Sequence, residues 1–142
     1  MSLLWLFRTD GARKSAVYKY QFSIYSKRMP YDLSDRTTKF SIAVIKLCRN
    51  LKEDTISRPL ISQLVRSSTS IGANYREANN AISKADFRNK IFICKKEAQE
   101  TGYWLEMLAS CFVNQIGEIN PLKRECRELI MIFQKITNSL RY

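Results

Sequence analysis

The sequence predicts an all-α protein, an antiparallel up-down-up-down four-helix bundle. Three observations carry that expectation. Four stretches space their apolar residues by alternate steps of four and three, the period of a helix face packed against other helices. Glycine and proline number only 4 and 3 in 142 residues, too few for the turns of an all-β chain. No stretch alternates apolar and polar residues as a half-buried strand does.

Residues 1–30 read as a poorly structured basic extension. Leu3-Leu-Trp-Leu-Phe7 is too short for a transmembrane span or a secretory core and is cut off by Arg8 and Asp10. Residues 1–28 hold six basic side chains (Arg8, Arg13, Lys14, Lys19, Lys27 and Arg28) and one acid, Asp10. Two readings stand: an anion-binding arm that needs no fold of its own, or a chain whose true start is Met29. The bundle domain is then residues 31–142.

Asp32 or Ser34 is placed to cap a first helix that runs to Leu51, with Phe40, Val44, Leu47 and Leu51 as its inner stripe. Pro59 suits the first position of a second helix, running to Ile82. Its stripe reads Leu60, Leu64, Ser67, Ile71, Asn74, Ala78 and Ala81. Small residues at Ser67, Ser68, Gly72 and Ala73 would let a neighbouring backbone come close. Asn74 would fix register through a buried hydrogen bond, so Ser67, Ile71, Gly72 and Asn74 form a packing and register set.

Ser83 followed by Asp86 has the shape of a capping box and opens a third helix. Phe87, Ile91, Cys94, Ala98, Thr101, Leu105, Leu108 and Phe112 then alternate by four and three without a fault. Gly117 to Asn120 breaks this run, and Pro121 starts a fourth helix striped by Leu122, Cys126, Leu129, Phe133, Ile136 and Leu140. A second apolar set is left over: Ile42, Ile45, Ile61, Val65, Tyr103, Trp104 and Met107. Such faces point to self-association, with Ile61, Val65, Tyr103, Trp104 and Met107 as the interface candidates; the alternative is that they widen the core stripe.

No catalytic constellation stands out. The chain has no His, the commonest general base and metal ligand at neutral pH. The hydroxyls at 67–70 lack a base, and lone Gly72 is no phosphate loop. Cys48, Cys94, Cys111 and Cys126 stand far apart and read as buried thiols of a cytoplasmic protein. No catalytic residue, metal ligand, cofactor, small-molecule substrate or membrane contact is assigned.

Charge is the informative quantity. Lys and Arg number 24 against 13 Asp and Glu, a net +11 that favours anionic partners, RNA or DNA first. Along the third helix Lys84, Arg88, Lys90, Lys95 and Lys96 precede Glu97, Glu100 and Glu106. Lys84, Arg88 and Lys95 share one side, and Arg76 is expected beside them at the end of a helical hairpin. Arg36, Lys39, Lys46 and Arg49 add a basic flank on the first helix. Lys96 with Glu100, and Arg124 with Glu128, have the spacing of exposed helical ion pairs.

Tyr31-Asp-Leu, Ser68-Thr-Ser-Ile-Gly-Ala-Asn-Tyr-Arg-Glu-Ala78, Ser83-Lys-Ala-Asp-Phe87, Lys95-Lys-Glu-Ala98 and Glu100-Thr-Gly-Tyr-Trp-Leu105 closely resemble the bacterial 23S rRNA-intervening-sequence proteins of the four helix bundle protein family. The likeness is colinear over residues 31–140. It implies a bundle that assembles into a basic homopentameric ring, and kinship with the accessory variability proteins of diversity-generating retroelements. The functional expectation is a non-enzymatic cytoplasmic protein that binds structured RNA or another nucleic acid through its positive surface. The alternative is an oligomeric scaffold that docks a partner enzyme such as a reverse transcriptase.

Overall fold

The computed structural model describes residues 32–140; the basic extension and the question of Met29 lie outside them. Four long helices follow one another: α1 (Leu33–Asn50), α2 (Ser57–Asn79), α3 (Lys84–Cys111) and α4 (Ile116–Ser139), with one 3-10 turn at Val113–Gln115 before the last. There is no strand among the described residues. Consecutive helices pack on one another, α2 against α3 most extensively, and α1 closes on α4.

The expected stripes of α3 and α4 are the core. Ile91, Cys94, Ala98, Thr101, Leu105 and Leu108 of α3 are buried, as are Cys126, Leu129, Phe133 and Ile136 of α4. From α1 come Phe40, Val44, Leu47 and the flanking Leu51; from α2 come Leu64, Ser67, Ile71 and Ala78. Both expected caps form: Asp32 accepts the Ser34 N–H at 2.9 Å, and Ser83 Oγ accepts that of Asp86 at 3.0 Å.

Five local expectations are corrected. Helix α2 starts two residues before Pro59 because Asp54 and Ser57 cap each other. Asp54 Oδ1 accepts the Ser57 N–H at 2.7 Å, and Ser57 Oγ accepts the Asp54 N–H at 2.9 Å. Pro59 still falls where a missing N–H costs no helical bond. The helix ends at Asn79, not Ile82: Asp86 binds the Ile82 N–H, and the Ile82 side chain, 85% exposed, has no core contact to extend the helix.

Gly117 to Asn120 belongs to α4, and the break lies at residues 112–115. Full burial of Ile119 draws that turn into the helix, which then carries Pro121 internally. The bond lost at Pro121 would have gone to the carbonyl of Gly117, which is exposed and open to water. On α2 the inward residue is Tyr75, its ring 6.1 Å from that of Phe133, while Asn74 is half-buried and donates to Ser70 O of its own helix. Finally, Cys94 and Cys126 are buried and Cys48 half-buried, but Cys111 is exposed; all four are free thiols.

Register is set by polar contacts across close helices. Ser41 Oγ reaches the Ser68 carbonyl at 2.9 Å, the Thr101 hydroxyl donates to Ser67 Oγ at 3.0 Å, and the Cys94 thiol points to the Ile71 carbonyl at 3.5 Å. A Cβ on Gly72 would stand 3.4 Å from Thr37 Oγ1, with no room beyond a methyl group. Gly72→Leu is therefore expected to lower the urea-unfolding free energy by about 1–3 kcal/mol through overpacking. Gly117→Ala, where nothing lies within 4 Å, should raise it by up to about 1 kcal/mol through helix propensity. Equal effects at the two glycines would contradict the close approach.

Candidate nucleic-acid interface

The basic residues singled out by sequence fall into three groups. On α1, Arg36 is turned inward to α4: its Nε donates to Glu125 Oε1 at 2.6 Å and its Nη2 to Oε2 at 3.0 Å, a two-point clasp between the helices. Lys39 pairs with Asp35 one turn back at 2.7 Å, and that carboxylate raises the lysine pKa. Lys46 and Arg49 are exposed and have no ion-pair contact among the described residues.

Arg76 leans on α1, donating to Thr38 Oγ1 at 3.1 Å. The cation of α3 that reaches α2 is instead Lys90, through an ion pair with Glu77. Arg88 and Lys95 share a heptad row with Gly102, where an added Cβ would lie 3.6 Å from Cys126 Sγ and 3.9 Å from Ile130 Cδ1 of α4. Lys84, one turn before Arg88, continues that row. Thus Lys84, Arg88 and Lys95 occupy the flank of α3 turned to α4, while Arg76 occupies the flank of α2 turned to α1. The single basic end expected from sequence is divided between two sides.

Two of the three acids that follow on α3, Glu97 and Glu100, are consumed internally. Arg66 of α2 pairs with both Glu97 and Glu100, and the Trp104 indole N–H also donates to Glu100, at 3.1 Å. Glu100 therefore answers Arg66 rather than the expected Lys96. The hydrogen bond from Arg66, then that from Trp104, hold the Glu100 carboxyl below its ordinary value of 4.5, while the hydrogen bond to Glu100 and the charge of Glu97 raise Arg66.

Among the apolar interface candidates, Ile61 and Trp104 lie partly buried against the core, and Val65 and Met107 are half-buried. Tyr103 is 52% exposed and packs edge-on to Trp104 with centroids 4.9 Å apart; Ile42 is 46% exposed. Ser67, Ile71 and Gly72 of the packing set are buried. Sequence reasoning passed over two exposed residues. Phe92 on α3 carries the Arg88 guanidinium 5.6 Å from its ring centroid. Met131 lies with Arg124 and Arg127 along a shallow depression on the outer side of α4. The signal for Phe92 was present: it stands one residue past Ile91 on the seam, so a helix must carry it outward.

Chemistry at three of the four thiols is unfavourable. Burial pushes Cys94 and Cys126 up to about 12 and Cys48 to about 11, far from a reactive thiolate. Among the described residues no cluster of metal-ligating side chains occurs, and no helix is long and apolar enough to cross a membrane.

Fold and surface together define an all-α bundle in which basic side chains outnumber acidic ones among the described residues. The profile of the 23S rRNA-intervening sequence protein family matches residues 31–135, and the chain belongs to that family. Among solved structures it is similar to a protein of unknown function from the S23 ribosomal protein family of Bacteroides thetaiotaomicron. Identity is 34%, with 73% of this chain and 96% of that one covered and a TM-score of 0.65. Comparison with curated proteins gives no match.

The Arg66 clasp gives a pH signature. Because the folded-state pKa of Glu100 is lowered, its contribution is present above the unfolded value near 4.5 and fades as pH falls through the folded one. Glu100→Gln should cost about 0.5–1 kcal/mol at neutral pH, as partly exposed ion pairs do. In urea unfolding that difference from the wild type should vanish under acid; a constant gap down to pH 3 would refute the clasp.

Proposed function

We propose that this protein is a non-enzymatic, cytoplasmic RNA-binding bundle with up-down-up-down connectivity, which assembles into a homopentameric ring and holds structured RNA through phosphate contacts. One observation carries the reading. With Arg66, Lys90, Arg36 and Lys39 committed to carboxylates, Arg88, Lys95 and Lys96 on α3 and Lys46 and Arg49 on α1 have no ion-pair contact among the described residues. Backbone phosphates ask for a positive surface of this kind and for no particular sequence. Membership of a family named for an intervening sequence in 23S rRNA supports RNA over other polyanions.

Charge reversal tests it. The double variant Arg88→Glu, Lys95→Glu should weaken binding to a structured RNA and reduce the slope of log K against log salt by about 1.5, the loss of two phosphate contacts. Binding unchanged in strength and slope would remove these residues from the interface, and capture of a protein in place of RNA would favour a docking scaffold. Light scattering on the full chain should give five times the mass of one chain. The exposed Ile42 and Tyr103 support such an assembly. A monomer at micromolar concentration would sink it.

A further inference from the structure

We propose that Phe92 is a stacking platform for an unpaired nucleobase, so that the protein prefers RNA with a loop or bulge to a continuous duplex. This rests on the RNA-binding reading above. Phe92 is 38% exposed on α3, off the seam that fills the core. Its neighbours on the helix surface, three and four positions away, are Arg88, Asn89, Lys95 and Lys96. These are three cations and an amide, with no carboxylate. The Arg88 guanidinium lies 5.6 Å from the ring centroid and braces one side of it.

Tyr103, the other exposed aromatic residue of this helix, is the internal contrast. The same four positions around it hold Gln99, Glu100, Glu106 and Met107, a setting that repels phosphate. An apolar protein partner would gain little from a single ring set among cations, since their desolvation opposes docking. A nucleotide satisfies both features, because its base offers a π face and its phosphates meet the surrounding charges. Lys95 and Lys96 flank the ring toward the C-terminal end of the helix and Arg88 toward the N-terminal end, so a strand crossing Phe92 meets positive charge on both sides.

The test uses the full chain and two fluorescein-labelled RNAs, a hairpin with an unpaired loop and a blunt duplex of the same length, followed by fluorescence anisotropy. The wild type should bind the hairpin more tightly. Phe92→Leu keeps an apolar surface side chain but removes the π face. It should weaken hairpin binding about ten-fold, the scale of one base stacked on an aromatic ring, and leave duplex binding unchanged. Phe92→Tyr should restore the preference. If the wild type binds both RNAs equally, or Phe92→Leu behaves as wild type or loses both RNAs alike, the platform is overturned while phosphate binding stands. If the wild type binds neither RNA, both readings fall.

Discussion

The bundle depends on how closely α2 lets its neighbours approach. Across one and a half turns it presents Ser67, Ser68, Ile71 and Gly72 to helices on two sides. On one side α1 comes near enough for Ser41 to bond the Ser68 carbonyl and for Thr37 to sit over Gly72. On the other, Thr101 and Cys94 of α3 bond Ser67 and the Ile71 carbonyl. Side chain to backbone contact between helices is feasible only where small residues thin the interface. Each buried hydroxyl must then find its partner or pay its desolvation. A slip by one residue would strand several of these groups at once, so the polar contacts select one register among the many that Leu and Ile alone would tolerate. The Cys126 thiol repeats the device on the Ala98 carbonyl, at 3.1 Å, and ties α4 to the same frame.

That frame also arranges the charge. Arg66 can span to Glu97 and Glu100, and Lys90 to Glu77, because α2 and α3 lie close along most of their length. Glu77, Glu97 and Glu100 are thereby spent on the bundle itself. On the first half of α3, Arg88, Lys95 and Lys96 then surround Phe92, an exposed ring outside the core. Packing and surface function are thus connected: the closer the helices, the more completely the carboxylates are withdrawn from the surface, and the less the remaining cations are compensated.

The heptad alternation in α3 and α4 is local, and there the sequence named every buried position of α3 and, in α4, Cys126, Leu129, Phe133 and Ile136, though not Ile119 or Thr137. Two choices were not local. From Ile71 the α2 stripe can reach Ala78 through Asn74 or through Tyr75, since three plus four and four plus three are the same distance. The position of Phe133 on another helix settles it for Tyr75. Likewise proline favours a helix start, yet α4 begins before Pro121 because Ile119 has a place in the core and burial outweighs one missing backbone bond.

The amino-acid sequence by itself determined four helices, the inner stripes of α1 and α3 and most of that of α4, two of their caps and an excess of positive charge, because each of these follows from residues within a few turns of one another. Only the tertiary structure decided which cations remain available. Arg76 and Arg88 look like neighbours across a tight turn, but helices have sides: Arg76 faces Thr38 on α1, and the Arg88 row faces α4. Which side a residue takes depends on where three other helices lie, and no spacing along one chain segment contains that information.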